Sequence, residues 1–362
     1  MIPTTEIVEG STPLTIPLEH SDGGPGKIAG KVFFNGQMAF NRDVSVMFLR
    51  ALGGNVTVAD AMSATGARAV RIANEVPGCD VVANDASPDA YEFIMRNIER
   101  NALTNCRASN TDLRKLFADE SFGYVDIDPF GSPMPYLHAA IGGCSKGGIL
   151  AVTATDTAPL AGAHRKKCER RYGSRPIRGA MCHEGGLRIL LSSIARELGK
   201  FDRGMVPLLC HSSDHYYRVY VRVTDTASHA DETLAKLIYI GIDPDTCQRV
   251  VSGTLSKETP HGPFWGGRLF DDGILSRLDP EGVEKGRRCV KSIDLWRGEL
   301  DHIPYVYSTD EMSSHAGVGS PPFSEFIERL SGIGRVSPSH ISPTSFRTEI
   351  PASDILSVLR SM

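Results

Sequence analysis

The sequence predicts an α/β fold in which a mostly parallel sheet carries helices on both faces, followed by a smaller α+β domain. The first observation is an alternation of short β-rich runs with helical patterns between residues 56 and 153, which is typical of parallel sheets. The second is a change after Thr224 to short elements, frequent Gly and Pro, and both tryptophans. The third is the length of 362 residues, which exceeds one average domain. We therefore predict one domain over residues 1–224 and a second over residues 225–362.

The individual elements follow from composition and periodicity. Residues 1–30 are predicted to be irregular or extended, ending in a glycine-rich run at residues 23–26. The first helix is predicted over residues 41–52, with Asn41 as its N-cap. Further helices are predicted at residues 67–76, 89–101 and 186–198, and strands at residues 56–59, 80–83, 124–127, 148–153, 205–210 and 216–223. In such a sheet, ligands bind beyond the carboxyl ends of the strands.

Composition and charge limit the class of protein. The hydrophobic fraction of 41% and the charged fraction of 23% are those of an ordinary globular protein. The sequence has no run of about 18 apolar residues, so no membrane span is predicted. The N-terminus lacks an apolar signal segment, so we predict a cytoplasmic location. The net charge of −4 does not indicate a nucleic-acid-binding protein, but phosphate contacts need only a local basic face.

Metal-binding motifs are poorly supported. The eight cysteines contain no C-x-x-C pair, which favours reduced, mostly buried thiols. The motif at residues 183–187 ends in Leu187, where H-E-x-x-H requires its second histidine. Cys210, His211 and His215 are possible ligands, but no further Cys or carboxylate is spaced to complete the set. We therefore predict no metal.

One segment concentrates positive charge. This basic segment spans residues 165–178 and contains a single acidic residue, Glu169. Its basic residues are Arg165, Lys166, Lys167, Arg170, Arg171, Arg175 and Arg178. A solvated helix or loop would explain this run. A surface that contacts nucleic-acid phosphates would explain it equally well. The run alone does not decide between the two.

Acidic residues at the strand ends indicate a nucleoside site. Residues 60–66 follow the first strand and open a helix, whose N-terminal N–H groups are free to face a ligand. They do not match G-x-G-x-x-G, so a dinucleotide site is not indicated. Asp85 ends the second strand, where α/β proteins place a carboxylate for ribose hydroxyls. Asp112 is placed to accept from an adenine amino group, with Leu113 against the ring. Asp60, Asp85 and Asp112 are each compatible with a surface turn when taken alone, but three acidic residues at the ends of successive strands favour a site.

The segment Asp128-Pro129-Phe130-Gly131 follows the strand at residues 124–127 and suits methylation of a planar exocyclic amine. The lone pair of such an amine is delocalised into its ring, which makes it a poor nucleophile. Hydrogen bonds from its N–H groups to the Asp128 carboxylate and to a backbone carbonyl would localise that lone pair. Pro129 fixes φ and lacks a competing N–H, and Phe130 can stack on a flipped base. An ordinary Asp-Pro turn is the alternative interpretation.

The chain as a whole resembles the tRNA guanine-26 N2-dimethyltransferases, in particular the archaeal type. The resemblance runs almost end to end and is more specific than any single motif. The matching segments are residues 6–10, 32–35, 41–43, 60–68, 84–85, 126–133, 152–156, 159–164, 182–184, 214–216, 262–267 and 339–344.

The resemblance implies a Rossmann-like class I methyltransferase sheet and two methyl transfers from S-adenosylmethionine to N2 of a tRNA guanine. The residues that would hold S-adenosylmethionine are Arg42, Arg68, Asp85, Asp112 and Leu113, with the two arginines near the methionyl carboxylate. Asp128 would orient the guanine amine, and Pro129 and Phe130 would shape its pocket. Phe33 and Phe34 are further candidates for lining that pocket.

The resemblance also implies partners and one departure. The basic segment, with Arg165, Lys166, Lys167, Arg170 and Arg171, and the C-terminal domain would bind the tRNA backbone. Some relatives carry a zinc-binding cysteine quartet in the region that corresponds to residues 236–251. That region holds only Cys247 here, so we predict no zinc. Neither a membrane nor an obligate protein partner is indicated.

Two alternative functions remain open. The chemistry predicted for Asp128 would serve any planar amine, so the chain could be a methyltransferase for another nucleic-acid or protein amine. A different class of function is an RNA-binding module without catalysis. Replacement of Asp128 separates these hypotheses, because only an enzyme loses turnover.

Overall fold

The computed structural model describes residues 2–21 and 30–362. Its strands are β1 (Thr4–Glu9), β2 (Thr12–Pro17), β3 (Thr57–Asp60), β4 (Asp80–Asn84), β5 (Cys106–Ser109), β6 (Phe122–Ile127), β7 (Cys144–Ala154), β8 (Gly204–Ser213), β9 (Tyr216–Thr224), β10 (Leu237–Ile242), β11 (Arg249–Ser252), β12 (His261–Trp265), β13 (Tyr307–Ser308), β14 (Val336–Pro338) and β15 (Ser345–Thr348). Its helices are α1 (Ala39–Leu52), α2 (Ala67–Glu75), α3 (Pro88–Arg100), α4 (Leu113–Asp119), α5 (Met134–Gly143), α6 (Thr157–Leu160), α7 (Arg165–Tyr172), α8 (Cys182–Gly199), α9 (Ala227–Leu234), α10 (Asp272–Arg277), α11 (Gly286–Gly298), α12 (Thr309–Ala316), α13 (Phe323–Ser331) and α14 (Ala352–Ser361).

The largest sheet has seven strands in the order β5-β4-β3-β6-β7-β9-β8. Its first five strands are parallel, and β9 runs antiparallel to both of its neighbours. Successive strands are added in one direction from β3 to β5 and in the other direction from β6 onward, so the strand order switches between β3 and β6. Open α/β sheets bind ligands at such a switch point. The carboxyl ends of β3, β4, β5, β6 and β7 therefore share one edge.

The parallel strands form because they are nearly continuous apolar runs, as strands covered on both faces are. Val58, Val81, Val125 and Leu150 are all buried in the main core. Right-handed crossovers place α2 and α3 on one face and α4 and α5 on the other, and the helices of each pair are in contact. The predicted α/β architecture is thus present.

The N-terminal lead is extended at residues 4–9 and 12–17, which is one of the two conformations predicted for it. β1 and β2 pair as an antiparallel hairpin, with Gly10 in a left-handed conformation at its turn. β2 also lies against α2 and α3. The glycine-rich run predicted at residues 23–26 lies outside the described residues.

The first helix begins earlier than predicted. A short 3-10 turn, Gly36–Met38, precedes α1, and the side chain of Asn35 caps that turn by accepting from the Gln37 N–H at 2.9 Å. Asn41 is therefore not the N-cap, and the prediction was wrong on this point. It lies inside α1, fully buried, and its Oδ1 accepts from Arg68.

The C-terminal part adds two small sheets, ordered β11-β10-β12 and β13-β15-β14. A second apolar cluster, which includes Tyr307, Phe326 and Phe346, holds the last elements together. The main core continues beyond β9 to Phe264 and Trp296. β9 is the last strand of the seven-stranded sheet along the chain, but the core does not end there. The domain boundary predicted near residue 225 therefore stays a prediction. Within residues 2–21 and 30–362, no helix combines the length and apolarity needed to cross a membrane.

Candidate active site

The turn between β3 and α2 forms the first wall of the site. Ala64 and Gly66 both adopt positive φ angles, of 49° and 78°. A Cβ on Gly66 would approach the Ile94 side chain to 3.2 Å, so glycine suits this position for space as well as for backbone conformation. The Ser63 N–H donates to the backbone carbonyl of Asn84 at 2.8 Å and fixes the turn to the end of β4.

Asp85 is held rigidly at the end of β4. Its Oδ2 accepts from the Ala64 N–H at 2.9 Å, and its Oδ1 accepts from the Ser87 N–H at 2.9 Å. Each carboxylate oxygen keeps a further lone pair for another donor. The carboxylate is half-buried and preoriented at the strand end, as a ribose-binding acid must be.

Asn84 connects three strand ends, a role that was not predicted from the sequence. Its Nδ2 donates to the carbonyls of Ala61 and Thr111, both at 3.0 Å, and its Oδ1 accepts from the Thr111 N–H at 3.3 Å. A fully buried amide that ends an apolar strand was the available signal, because buried polar groups are nearly always hydrogen-bonded.

Asp112 and Leu113 lie after β5, where α4 begins. Asp112 caps α4, since its Oδ1 accepts from the Arg114 N–H at 2.8 Å. Its side chain remains 54% exposed, and Leu113 beside it is buried. A capping carboxylate with free acceptor positions and an apolar neighbour are thus placed at the same sheet edge as Asp85.

Arg68 links α1, α2 and the reaction loop, defined as residues 128–131. Its Nη1 donates to Asn41 Oδ1 at 2.8 Å and to Ser45 Oγ at 2.7 Å. Its Nη2 donates to Oδ2 of Asp128 in a close ion pair. The guanidinium is buried, so this ion pair is shielded from solvent on the Arg68 side.

Beneath this pair lies a buried charge cluster. Arg218 of β9 donates to Asp126 through Nη1 at 2.9 Å and Nη2 at 2.5 Å. Burial alone would raise the pKa of Asp126, but the charges of Arg218 and Arg68 hold it below its usual value. Burial raises the pKa of Asp60 to about 7, although Arg68 opposes the shift. Oδ2 of Asp60 is a buried acceptor without a hydrogen-bond partner among the described residues.

The reaction loop is hydrogen-bonded to Thr155, the residue that follows β7. The Gly131 N–H donates to Thr155 Oγ1 at 2.6 Å, and the Gly131 carbonyl accepts from the N–H of Thr155 at 3.0 Å. Gly131 has a φ of 86°, which favours glycine. Asp128 is partly exposed, and Phe130 has 56% of its surface exposed. The loop therefore presents a carboxylate and an aromatic ring to the same open edge.

The side chain of Phe33 contacts the reaction loop, whereas the side chains of Phe34 and Arg42 pack elsewhere. The rings of Phe33 and Phe130 meet edge to face, with centroids 4.7 Å apart. Phe34 is buried, and the Arg42 guanidinium lies over its ring at 5.0 Å. Arg42 is bound to Glu9 by two hydrogen bonds, of 2.6 and 2.5 Å.

A polar chain connects the reaction loop with the basic helix α7. Ser132 Oγ donates to the Tyr172 hydroxyl at 2.8 Å, and that hydroxyl donates to Asp156 Oδ1. Arg171 donates to the other oxygen of Asp156 at 3.0 Å. The exposed face of α7 borders a concave surface of about 700 Å³, lined by His164, Arg165, Lys166, Lys167, Glu169 and Arg170.

The basic residues of α7 divide into paired and unpaired groups. Arg165 pairs with Glu169 at 2.7 Å, and Arg171 pairs with Asp156. Lys166 and Arg170 are exposed and make no ion pair within the described part of the chain. Because α7 leads through Tyr172 to the reaction loop, its charges lie on the approach to the site.

A family model described as N2,N2-dimethylguanosine tRNA methyltransferase matches residues 25–360. The chain belongs to this family. The tRNA (guanine(26)-N(2))-dimethyltransferase of Pyrococcus abyssi is 34% identical, with 98% of each chain covered. The enzyme of that description from Methanosarcina barkeri is 37% identical with the same coverage. A solved structure of Trm1 from Pyrococcus horikoshii with S-adenosyl-L-methionine has a TM-score of 0.90 at 34% identity, covering 98% of this chain and 99% of that one.

Membership of the dimethylguanosine tRNA methyltransferase family confirms several predictions. The resemblance, the α/β fold class and the enzyme class are confirmed. The individual site residues stay predictions, as does the absence of a metal. Among residues 2–21 and 30–362, no group of three or more His, Cys, Asp and Glu side chains is arranged to hold a metal ion.

Several residues of the site were not predicted as functional. Thr155 and Asp156 hold the reaction loop, and Asp126 and Arg218 support it from below. Asp126 and Arg218 were each recognisable as a charged residue within an apolar strand. Such charges are buried only with a partner, so the sequence indicated that each would form an ion pair. No local signal identifies Glu9 as the partner of Arg42.

Proposed function

We propose that this chain transfers two methyl groups from S-adenosylmethionine to N2 of guanine 26 in tRNA, with Asp128 at the reaction centre. The observation that carries this assignment is the buried Arg68 guanidinium holding Asp128 at the strand edge that also displays Asp85. Family membership supports the substrate class, and this geometry is the basis on which we propose the roles of the residues.

The residues at the strand ends suit S-adenosylmethionine as the co-substrate, which supplies a methyl group on a sulfonium. The carboxylate of Asp85, fixed by two backbone N–H groups, suits the ribose hydroxyls. Asp112 and Leu113 would bind the adenine through a carboxylate and an apolar contact. Oδ2 of Asp60, a buried carboxyl oxygen without a hydrogen-bond partner among the described residues, fits the polar end of the same molecule. Arg68 and Arg42 would lie near the methionyl carboxylate by family resemblance, and Arg42 would have to share its charge with Glu9.

Asp128 would activate the amine by accepting one of its N–H groups. This hydrogen bond holds the nitrogen lone pair out of conjugation and directs it toward the methyl group. In each transfer a nitrogen–carbon bond forms and a sulfur–carbon bond breaks, and the nitrogen then loses one proton. Asp128 is placed to orient the amine and to receive that proton, and alignment is the larger part of the task since the sulfonium is a good electrophile.

Phe130 and Phe33 would hold the flipped guanine. The exposed face of Phe130 offers a stacking surface, and Phe33 fixes the ring from its edge. The Pro129 carbonyl is a second acceptor next to Asp128. Guanine N2 carries two N–H groups, so two neighbouring acceptors match the substrate before the first transfer.

The tRNA backbone would lie along α7. Lys166 and Arg170 are the strongest candidates for phosphate contacts because neither is engaged in an ion pair within the described residues. Binding to phosphates positions the substrate without reading sequence. A cytoplasmic location remains a prediction.

The activity is tested by incubating the purified chain with S-adenosylmethionine and a tRNA transcript that carries guanine 26, followed by nucleoside analysis. The expected product is N2,N2-dimethylguanosine at that position, and a transcript with adenine there is the control. Methylation of a DNA base or a protein amide in preference to the transcript would support the alternative of another amine substrate and overturn the proposal.

A further inference from the structure

A cavity of about 520 Å³ lies apart from the reaction loop, between the carboxyl end of β8, helix α11 and residues 338–343. We name it the β8–α11 cavity. Residues from both parts of the chain line it, among them His211, Ser212, Arg288, Lys291, Phe323 and His340. Its volume is in the range of sites that hold small molecules or single nucleotides.

The inner wall of this cavity contains an unsatisfied histidine. His211 is 1% exposed, and neither of its ring nitrogens has a hydrogen-bond partner among the described residues. Burial and nearby positive charges hold its pKa well below the usual value, so the ring is neutral and offers one donor and one acceptor. Buried polar groups are nearly always hydrogen-bonded, so the two ring nitrogens of His211 are available for a partner from outside the described residues.

The neighbouring histidine shows the usual, satisfied arrangement. Nε2 of His340 accepts from the Ser212 N–H at 3.3 Å, so its proton lies on Nδ1, which donates to Glu299 at 2.6 Å. Glu299 also accepts from Arg347 at 2.7 Å. The polar groups of His340, Glu299 and Arg347 therefore satisfy one another. The ring nitrogens of His211 take no part in these hydrogen bonds.

The rim of the cavity carries two cations, Arg288 and Lys291, and one carboxylate, Asp214, so its net charge is positive. Arg288 lies over the Phe40 ring at 4.2 Å and donates to Asp214 at 2.6 Å, with 42% of its side chain exposed. Lys291, one turn further along α11, is exposed and makes no ion pair within the described residues. An anionic group at the rim and an uncharged polar group at His211 would match this distribution of charge.

The β8–α11 cavity opens at the same sheet edge as the reaction loop. Tyr217 of β9 pairs with Ala154 of β7 on one side and with Ser212 of β8 on the other. Two strand spacings of about 4.8 Å separate Ala154 from Ser212, so the cavity begins roughly 10 Å from the end of β7. Ala154 directly precedes Thr155, which holds Gly131.

We propose that the β8–α11 cavity binds a second nucleotide of the tRNA, with its phosphate at Arg288 and Lys291 and its base or ribose at His211. This inference rests on the proposed function, because it takes tRNA to be the substrate. It adds a binding site that is separate from the target guanine and from α7. A nucleotide close to guanine 26 in the folded tRNA would be held there during both transfers.

The test is chemical probing of each nucleotide of a tRNA bound to the full chain, combined with the salt dependence of binding. Wild-type protein should protect at least one nucleotide besides guanine 26 and the α7 contacts. His211→Phe and Lys291→Ala should restore its reactivity while guanine 26 stays protected. Lys291→Ala should also reduce the slope of log affinity against log salt by about 0.7–0.9, the value for one lost phosphate contact.

Lys146→Ala is the matched control, since Lys146 is an exposed lysine near the start of β7, at the sheet edge opposite to the reaction loop, and does not line the cavity. Unchanged affinity for S-adenosylmethionine shows that a variant is folded, and Lys291→Ala carries the test if His211→Phe does not fold. The inference is overturned if both variants give the wild-type pattern, or if Lys291→Ala and Lys146→Ala have the same salt slope. Failure of the proposed function is a different result, in which wild-type protein does not methylate the transcript.

Discussion

The rings of Phe33 and Phe130 meet edge to face at 4.7 Å, although 97 positions of sequence separate them. Phe33 comes from the segment before α1, and Phe130 from the loop after β6. Their contact closes one side of the sheet edge at which Asp128 is partly exposed. A base stacked on Phe130 would thus have a fixed ring beneath it and a carboxylate beside it.

This pair leads to a prediction for the base pocket. Phe130→Ala should lower kcat/KM for tRNA methylation by about tenfold or more, because stacking of a base on an aromatic ring contributes about 1–3 kcal/mol. Phe130→Tyr keeps the ring and should retain most of the activity. Initial rates at several tRNA concentrations measure the effect, and isothermal titration with S-adenosylmethionine should show no change. An equal loss in both variants would mean that stacking is not what Phe130 contributes.

The link from α7 to the reaction loop gives a second prediction. Asp156→Asn should lower kcat by about ten- to a hundredfold with a smaller effect on KM, since it loosens the loop that positions Asp128. Tyr172→Phe should act in the same direction. Glu169→Gln is the matched control, because it breaks an ion pair on α7 without touching the loop. A change in KM alone, with kcat as in the wild type, would contradict a positioning role.

A third prediction concerns tRNA binding by α7. Arg170→Ala should weaken tRNA binding and reduce the salt slope by about 0.7–0.9, as the loss of one phosphate contact does. Lys146→Ala, which removes an exposed cation without an ion pair in the described residues at the opposite edge of the sheet, should leave the slope unchanged. Filter binding between low and moderate salt measures both. If the two variants have equal slopes, α7 is an ordinary solvated helix.

The buried Asp60 makes stability depend on pH. Because burial raises its pKa to about 7 in the folded state, folding favours the protonated form. This contribution is fully present below the ordinary pKa near 4 and is lost as the pH rises toward 7, by about 1.4 kcal/mol per pH unit. Asp60→Asn removes the titration, so its stability relative to the wild type should increase over this window. Chemical denaturation at several pH values tests it, and a difference that is constant with pH would disprove it.

Much of the fold was predictable because its strands are apolar runs of β-forming residues, and the acids at their ends interrupt those runs. Asp85 and Asp128 come together because the carboxyl ends of parallel strands share one edge. Phe33 and Phe130 could not be paired in advance, since nothing local relates two segments so distant in sequence. The same holds for Arg42 and Glu9, which meet only because the β1–β2 hairpin packs on the helices.

Local signals also misled at one helix end. Asn41 has the composition of an N-cap, but the 3-10 turn capped by Asn35 moves the start of α1 to Ala39. Tertiary contacts then give Asn41 a different task, as an acceptor for Arg68. A capping preference of about 1 kcal/mol is small beside the burial of a charged network.

The central claim, that Asp128 held by Arg68 orients and activates the guanine amine, is tested most directly by single-turnover methylation with Asp128→Ala and Asp128→Asn. Both variants should lose the rate of the chemical step by orders of magnitude while binding S-adenosylmethionine and tRNA as the wild type does. Asp128→Asn retains an acceptor oxygen. If it is more active than Asp128→Ala, Asp128 acts mainly by orienting the amine. If the two variants lose activity equally, Asp128 acts as a base. Wild-type single-turnover rates in Asp128→Ala would contradict the account.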